Sequence, residues 1–267
     1  MSRSGEVDMA VIRVGVCGIA GRMGSEMARA VAADPGLALT AAVEHPGHAS
    51  IGQPVAGVRV TSDLAAAARA CAVLVDFTAP AATADIARCA AEAGAALLCG
   101  ATALADSDRA ALEDAARSIA VLQASNLSIG VALLTRLARA AARALPEADV
   151  EIVEMHHRHK RDAPSGTALA LARAVAAGRP DGAPAPEGAV PAGERRGGAI
   201  GIHSLRGGEV TGEHEVIFAG AGERVILAHR AESRAAFAAG ALRAIRYLAG
   251  RPPGCYTMDQ VLGEPER

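Results

Sequence analysis

The stretch VIRVGVCGIAGRMGSEMARA, residues 11–30, decides the fold of the N-terminal half of the chain. Residues 11–18 are almost all apolar, which is typical of a buried strand, and residues 22–30 have the polar and apolar spacing of a helix. Between them, Gly18, Gly21 and Gly24 form a GxxGxxG loop. Three glycines allow a tight turn, close approach of the backbone to a ligand, and close packing of the helix on the strand.

The glycine loop has two interpretations, and its context favours one of them. Taken alone, it equally fits a packing turn of small residues. It follows a predicted strand and opens a predicted helix, however, and Glu44 lies at the end of the next strand, 20 residues beyond Gly24. A carboxylate at this spacing is suited to the adenosine ribose of a dinucleotide, whose pyrophosphate binds the N-terminus of the helix. The pattern therefore predicts a dinucleotide site.

The same alternation of strand and helix patterns continues through the first half of the chain. Helical patterns separate further apolar runs at residues 37–44, 73–80, 95–101 and 119–125. A repeated βαβα order predicts a Rossmann-like, doubly wound parallel sheet, which is an α/β fold.

The second half has a different order. A long helix at 128–144, a half-buried strand at 148–157 and a helix at 165–177 precede three successive strand patterns between 199 and 233. This order predicts a second domain of α+β type, with a mixed sheet. Residues 178–198 are rich in Pro and Gly and are predicted to form a mobile surface loop.

Composition excludes several classes of protein. The net charge of −2 gives no general basic field, so nucleic acid is not expected as a partner. No apolar run approaches the length of a membrane span, and the N-terminal segment does not resemble a signal peptide. The five cysteines are odd in number, scattered and without a CxxC, which predicts neither disulfides nor a zinc site and favours a reducing cytoplasm. With 2% aromatic residues, the core must consist of Ala, Val, Leu and Ile.

A basic cluster occurs in EMHHRHKRDAPSGTALALA, residues 154–172. A metal site is one interpretation, but His156 and His157 would point to opposite sides of a strand, and the neighbouring cations would repel a divalent ion. Nucleic-acid binding is disfavoured because the cluster is short and lacks aromatic residues. A solvated basic loop paired with Glu154 and Asp162 remains open.

An anion site explains the neighbours of the cluster as well. Ser165 is a good N-cap for the helix that follows, and the first N–H groups of that helix can hold an anion. Lys160 and a histidine can then face a second acidic group. This arrangement is suited to a small dicarboxylate.

The segment HHRHK followed by DAPSGT resembles the signature of the 4-hydroxy-tetrahydrodipicolinate reductase (dihydrodipicolinate reductase) family. The resemblance extends over nearly the whole chain and includes GIAGRMG, VDFTAP, ASNLSIGV, GEHEVIFAGAGER and SRAAFAAGA, in family order. It implies NAD(P)H-dependent reduction of 4-hydroxy-tetrahydrodipicolinate to tetrahydrodipicolinate in lysine and diaminopimelate biosynthesis, with hydride transfer to C4 and loss of water.

The resemblance also implies a domain organisation and a set of site residues. Residues 1–127 with 234–267 would form the dinucleotide-binding domain, and 128–233 the substrate-binding domain, which assembles a homotetramer through its sheet. The implied catalytic pair is His156 and Lys160. The residues implied to contact substrate are His157, Lys160, Ser165, Gly166 and Thr167. The residues implied to contact NADH or NADPH are Gly18, Ala20, Gly21, Arg22, Met23, Gly24, Glu44, Phe77, Gly100, Thr102, Ala124, Asn126 and Leu127. No metal is implied.

Some positions depart from the family pattern. Gly100-Ala101-Thr102-Ala103 replaces a frequent G-T-T-G, which puts the loop geometry in doubt more than the activity. His45 stands where some members carry an arginine that meets the 2′-phosphate of NADPH. Because Glu44 would also repel that phosphate, we hypothesise a preference for NADH.

Two other functions compete with this one. Another two-domain NAD(P)-dependent reductase of a small amino-dicarboxylate, such as an aspartate dehydrogenase, would share the glycine loop but has no reason to carry HHRHK before PSGT. A non-catalytic NAD(H)-binding sensor would bind an anion without needing Lys160 or the histidines as proton carriers.

Overall fold

The structure is a computed structural model and describes residues 11–180 and 197–263. These residues divide into two compact units. One comprises the residues up to Ala124 together with Ala241–Thr257, and the other comprises Ser125–Gly240 together with the residues from Met258 onward. Each unit has its own sheet.

The elements follow one another in two runs. The first run is β1 (Ile12–Cys17), α1 (Arg22–Ala32), β2 (Leu37–Val43), β3 (Pro54–Val55), β4 (Val58–Thr61), α2 (Leu64–Arg69), β5 (Val73–Asp76), α3 (Pro80–Ala93), β6 (Ala96–Cys99), α4 (Asp106–Ala115) and β7 (Ala120–Gln123). The second run is α5 (Ile129–Ala144), β8 (Asp149–His156), α6 (Gly166–Gly178), β9 (Ile200–Arg206), β10 (Glu213–Ala219), β11 (Arg224–Arg230), α7 (Ala235–Leu248), β12 (Gly254–Tyr256) and α8 (Met258–Leu262).

The first unit is built on an eight-stranded sheet with the order β12-β7-β6-β5-β1-β2-β4-β3. Every neighbouring pair is parallel except the β3–β4 hairpin. The predicted doubly wound parallel sheet is confirmed. The carboxyl ends of β1, β2, β5, β6 and β7 therefore meet at one edge, where ligands of such sheets bind.

Small aliphatic residues form the core of this unit. Alanines of α2 and α3, such as Ala67 and Ala87, pack against Leu74 and Leu97 of the sheet. An alanine face lets a helix lie close to the strands, and this close packing compensates for the scarcity of aromatic side chains. On α7, Arg246 forms an ion pair with Asp34, in the turn that precedes β2.

The second unit contains a four-stranded sheet with the order β11-β10-β8-β9. β8 and β9 are parallel, and β10 is antiparallel to both β8 and β11, so the predicted mixed sheet is confirmed. One face packs against α5 and α6 through Ile152, Leu171 and Phe218. The other face is partly exposed and mixed in character: Leu205 is 48% and Ile226 is 53% exposed, and the same face carries the ion pairs His203–Glu151 and Arg230–Glu215.

Four short elements were not predicted. β3 and β4 contain two and four residues, and β12 contains three residues after a Pro-Pro pair. Such short segments bury too few residues to show a clear period of two. The five-residue helix α8 is also too short to show a helical period.

Two further expectations concern loops and membranes. The predicted surface loop 178–198 falls mainly on residues 181–196, which lie outside the described residues. Within the described ranges, no helix is both long and apolar enough to cross a bilayer.

All five cysteines lie in described parts of the chain. Cys17, Cys71, Cys89 and Cys99 are buried, and Cys255 is exposed. Burial raises the pKa of Cys71 to about 11 and that of Cys99 to about 12. Because the thiolate is the reactive form, the thiols of Cys71 and Cys99 are chemically inert core side chains.

Candidate active site

The glycine loop joins β1 to α1 and packs tightly against neighbouring backbone. A Cβ at Gly24 would lie 2.0 Å from the carbonyl oxygen of Gly18, and a Cβ at Gly18 would lie 2.7 Å from the oxygen of Phe77. Gly21 is the N-cap of α1, and no side chain caps this helix. The first N–H groups of α1 are therefore left for a ligand, as in an anion site at a helix start.

Glu44 follows the last residue of β2 and lies against the glycine loop. Its Oε2 accepts a 3.1 Å hydrogen bond from the backbone N–H of Ala20, and its Oε1 accepts one of 3.1 Å from that of His45. A carboxylate offers about four lone-pair sites. Both oxygens can therefore still accept bonds from the hydroxyl groups of a ligand.

A cavity of about 550 Å³ opens beside this carboxylate in the first unit. Its volume is in the range of sites that hold small molecules and cofactors. Several predicted cofactor residues line it, together with neighbours from β2, β5 and α3. The lining includes Gly18, Ala20, Gly21, Glu44, His45, His48, Phe77, Thr78, Ala79 and Asp85.

Asp76, which the sequence reasoning missed, shapes the loop that lines this cavity after β5. It is fully buried, and it accepts hydrogen bonds from the N–H and hydroxyl of Thr78 at 2.8 and 2.6 Å and from the hydroxyl of Thr83 at 3.0 Å. These bonds compensate for burial of the carboxylate. The sequence did contain a signal for this role, because an acidic residue at the end of an otherwise apolar strand indicates a buried carboxylate that needs hydrogen-bond donors.

The other predicted cofactor residues occupy several places. Arg22 and Met23 begin α1, Gly100 and Thr102 follow β6, and Ala124 follows β7. A Cβ on Gly100 would lie 2.5 Å from the ring of Phe77, so the ring packs directly on this glycine. Asn126 and Leu127 belong to the second unit, where Leu127 is buried.

Ser165 begins α6 in the second unit and is the N-cap, as predicted. Its Oγ accepts a 3.2 Å bond from the N–H of Ala168 and lies 3.2 Å from Nε2 of His214. The backbone N–H of Ser165 donates to Oε1 of Glu154 at 3.3 Å. The N–H of Ser165 is thus engaged by Glu154, whereas the N–H groups of Gly166 and Thr167 lie in the first turn of the helix.

Thr167 and Asn126 are in direct contact. Oγ1 of Thr167 accepts a 3.0 Å bond from Nδ2 of Asn126, whose Oδ1 accepts a 2.9 Å bond from the N–H of Ser128. Ser128 caps α5, and its Oγ lies 3.2 Å from Nε2 of His229. A predicted cofactor residue and a predicted substrate residue are therefore joined by a chain of hydrogen bonds.

The basic cluster begins at the end of β8. Nδ1 of His156 lies 2.5 Å from Oε2 of the buried Glu154, and the guanidinium of Arg206 bonds both oxygens of the same carboxylate. Nζ of Lys160 lies 2.9 Å from a carboxylate oxygen of Asp162. The rings of His157 and His159 are 6.3 Å apart. The structure thus brings His156 and Lys160 into one cluster with two acidic partners.

Burial and charge shift the pKa values of several groups in this cluster. Burial, reinforced by the electrostatic effect of the neighbouring His156, lowers the pKa of His214 to about 3. Burial also lowers the pKa of His229. Burial alone would raise the pKa of Asp162, but the hydrogen bond from Lys160 outweighs it and lowers that pKa. His214 is therefore a neutral hydrogen-bonding partner of Ser165 at working pH.

Glu154, His156 and His214 each offer a potential metal ligand, and these atoms lie within 4.8 Å of one another. Arg206, however, donates to both carboxylate oxygens of Glu154, so its positive charge occupies the position that a cation would need. The chemistry of this donor set favours an internal ion pair over a metal centre.

The family follows from comparison of the whole sequence with protein-family profiles. The profile described as "Dihydrodipicolinate reductase, N-terminus" matches residues 12–127, and the profile described as "Dihydrodipicolinate reductase, C-terminus" matches residues 130–262. The chain belongs to the dihydrodipicolinate reductase family. It is therefore an oxidoreductase with a nicotinamide cofactor.

Relatives within the dihydrodipicolinate reductase family match over nearly their full length. A protein named 4-hydroxy-tetrahydrodipicolinate reductase from Anaeromyxobacter sp. is 48% identical over 264 residues, covering 95% of this chain and 98% of the relative. One of the same name from Thiobacillus denitrificans is 46% identical over 263 residues, covering 94% and 98%. The dipicolinate-bound dihydrodipicolinate reductase of Paenisporosarcina sp. TG-14 superimposes with a TM-score of 0.74 at 25% identity, covering 92% of this chain and 97% of that one.

The glycine loop, the uncapped start of α1 and the Glu44 carboxylate of this chain fit a nicotinamide dinucleotide. The loop offers N–H groups and has no room for side chains at Gly18 and Gly24. Glu44 faces the adjoining cavity with acceptor capacity to spare. These are the features that a pyrophosphate and a ribose require.

Two residues that contact the predicted substrate site were not predicted as part of it. His214 is absent from the predicted set of site residues, and the structure places it against Ser165. Arg206 is also absent from that set, and it lies against Glu154. Both come from strands more than 40 residues further along the chain, so only the register of the sheet could have indicated their positions.

Proposed function

We propose that the chain reduces 4-hydroxy-tetrahydrodipicolinate to tetrahydrodipicolinate, with loss of water, and that NADH is its preferred cofactor. The reduction follows from family membership, because the relatives named for this activity match nearly the entire chain. It is a step in lysine and diaminopimelate biosynthesis. The finer assignments below depend on the geometry of each unit.

The preference for NADH is supported by the charges around the cavity of the first unit. Glu44 and Asp85 both line it, and a carboxylate accepts hydrogen bonds from a free 2′-hydroxyl but repels a 2′-phosphate. The cations that could offset this repulsion are histidines, His45 and His48, rather than arginines. An imidazole carries only a partial charge near neutral pH.

The substrate site is proposed at the start of α6, where a dianionic ring meets N–H donors and cations. Gly166 and Thr167 provide the helix start, while His157, Lys160 and the Ser165 hydroxyl complete the contacts with the two carboxylates. A helix N-terminus and an ammonium group each favour an anion. The dipicolinate-bound relative from Paenisporosarcina supports a pyridine-dicarboxylate shape for the ligand.

The catalytic roles are assigned to His156 and Lys160. When bound, the reduced nicotinamide supplies the hydride that C4 of the ring accepts. Lys160 stabilises the negative charge that develops toward the ring nitrogen and C3, and it supplies the proton, with His156 as the alternative acid. Lys160 is suited to this role because its side chain is only 20% exposed and its Nζ lies 2.9 Å from a carboxylate oxygen of Asp162.

The proposed domains, assembly and location follow the same assignment. Residues 1–127 with 234–267 bind the cofactor, and residues 128–233 bind the substrate and form a homotetramer. The half-exposed outer face of the four-stranded sheet combines Leu205 and Ile226 with charged side chains, and this mixture supports assembly through that face. Buried thiols without disulfides support a cytoplasmic location.

The decisive experiment follows absorbance at the nicotinamide band with enzymatically generated substrate, using NADH and NADPH in parallel. We expect turnover with both cofactors and a higher kcat/KM with NADH. A kcat/KM about tenfold higher with NADPH would reject the cofactor preference. Cofactor binding without any turnover would instead support an NAD(H)-binding sensor.

A further inference from the structure

A buried carboxylate lies behind His156. Glu154 is 0% exposed although it carries an ionisable side chain. It precedes His156 by two residues on β8, so both side chains project from the same face of the strand. Its Oε2 lies 2.5 Å from Nδ1 of His156. A solvated basic loop gives no reason to bury a carboxylate in this position.

Arg206 compensates for this buried charge. It is the β9 residue that pairs with His156 in the parallel register of β8 and β9. Its Nη1 donates to Oε2 of Glu154 at 3.0 Å and its Nη2 to Oε1 at 2.8 Å. The guanidinium is held in turn by the carbonyl oxygens of Leu205 and Asp162, at 2.6 and 2.7 Å. A two-pronged contact of this kind fixes both the charge and the orientation of the carboxylate.

The partners of Glu154 determine which ring nitrogen of His156 carries the proton. Burial alone would raise the pKa of Glu154, but the hydrogen bonds from His156 and Arg206 outweigh it and hold that pKa well below its usual range. An ionised carboxylate can only accept a hydrogen bond, so Nδ1 of His156 must donate. The opposite nitrogen, Nε2, is then left to act on another group.

Gly212 leaves space beside that second nitrogen. A Cβ at position 212 would lie 3.1 Å from Nε2 of His156, closer than an ordinary van der Waals contact. The ring of His214, which stands 5.2 Å away at 77°, is held by Ser165 and not by His156. Because position 212 is a glycine, no side chain at that position crowds Nε2.

We propose that Glu154 and Arg206 are positioning residues, which hold His156 with its proton on Nδ1 and direct Nε2 to the substrate. This inference rests on the proposed function only for the role of His156 at the substrate. When His156 acts as an acid, the doubly protonated imidazolium releases its Nε2 proton and becomes the neutral ring, which keeps the Nδ1 proton that is hydrogen-bonded to Glu154. Arg206 acts on His156 through Glu154, because it keeps the carboxylate of Glu154 ionised and oriented.

Replacing Glu154 by glutamine tests the proposal through the hydrogen-bond pattern. Oε1 of Glu154 accepts hydrogen bonds from the N–H of Ser165 and from Nη2 of Arg206, and both of these groups can only donate. Oε2 accepts one from Nη1 of Arg206 and one from Nδ1 of His156, and this ring nitrogen can be either a donor or an acceptor. In Glu154→Gln the amide oxygen is best placed on the Oε1 side, which turns the NH₂ group toward His156. The imidazole must then accept at Nδ1 and carry its proton on Nε2.

The experiment measures this proton directly in the full-length protein. Long-range ¹H–¹⁵N spectra of ¹⁵N-histidine-labelled protein report the tautomer of each imidazole, and His156→Gln identifies the signal of His156. We expect an Nδ1 proton in the wild type and an Nε2 proton in Glu154→Gln, whose kcat falls by about 100-fold with NADH binding unchanged. Glu147→Gln makes the same charge change in an exposed turn of the same unit and leaves both readouts unchanged.

The outcomes separate the proposal from other failures. An Nε2 proton in the wild type, or an unaltered tautomer and kcat in a folded Glu154→Gln, would overturn it. If Glu154→Gln does not fold, the wild-type spectrum and the spectrum of Arg206→Lys test the proposal instead. A lysine keeps the positive charge but cannot make the two-pronged contact, so Arg206→Lys should weaken the preference of the His156 proton for Nδ1. Absence of turnover in the wild type contradicts the proposed function alone, because the spectra need no substrate.

Discussion

Nε2 of His214 lies 3.2 Å from Oγ of Ser165, so a neutral imidazole buried on β10 contacts the residue that caps α6. The contact joins the sheet to the helix start at which the substrate is proposed to bind. It also makes the stability of this helix start depend on the protonation state of His214.

The pH dependence of stability should carry the signature of His214. In the unfolded chain its imidazole takes up a proton near its ordinary pKa of about 6.5, whereas in the folded state the pKa is about 3. Between these values the unfolded state binds the extra proton, so stability falls as the pH falls from about 6.5 toward 3, by up to about 1.4 kcal/mol per pH unit.

His214→Gln should remove this contribution, because glutamine can replace Nε2 as the partner of the Ser165 hydroxyl but does not titrate. The measurement is urea unfolding of both proteins at pH 7, 6 and 5. His203→Gln is the matched control, since His203 is exposed on β9 of the same sheet. Parallel pH curves for wild type and His214→Gln would contradict the assignment.

Lys160→Ala should lower kcat by about 100-fold and leave NADH affinity unchanged, because it removes the proposed proton donor and charge stabiliser. Arg161→Ala removes an equal charge from the adjacent, exposed position and should retain most of the activity. Steady-state kinetics and cofactor titration measure the two effects. An unchanged kcat in Lys160→Ala would show that the role belongs to another group.

Thr167→Ala should act mainly on substrate affinity. The hydroxyl is proposed to contact a substrate carboxylate, and a hydrogen bond to a charged group is worth about 1.5 kcal/mol, which corresponds to roughly a tenfold rise in KM. Thr167→Ser keeps the hydroxyl and the contact with Asn126 and should restore KM. If kcat falls instead of affinity, the residue has a different role.

His45→Arg should shift the cofactor preference toward NADPH. A permanent cation beside Glu44 would offset the repulsion of the 2′-phosphate, and we expect the ratio of kcat/KM for NADPH to that for NADH to rise by about tenfold. The KM for the dicarboxylate substrate serves as the internal control and should not change. An unchanged ratio would indicate that the side chain at position 45 does not reach the phosphate.

The parts of the fold that were predictable are those with a local signal. Residues 11–30 contain a strand, a loop and a helix in a single stretch, so their pattern predicts all three. Serine is a preferred N-cap residue, so Ser165 predicts the start of α6. β3 and β12 were missed because two or three residues cannot show a period, and their pairing depends on neighbours in space.

In the candidate site, too, contacts between residues that are distant in sequence could not be predicted. The basic cluster at 156–161 is visible in the sequence, but the arginine that balances Glu154 is 52 positions away. It reaches the carboxylate because β9 pairs in parallel with β8 and places Arg206 opposite His156. Long-range register of this kind is set by the packing of the whole sheet and leaves no local pattern.

The distribution of cysteines has a practical consequence for following this protein in solution. The buried thiols resist ionisation or are shielded from reagents, while Cys255 is open to solvent on the short edge strand β12. A maleimide dye applied near neutral pH should therefore attach at one position in the native protein. A fluorescent reporter could be installed on the unmutated chain, and its emission would read out events in the first unit without any engineered cysteine.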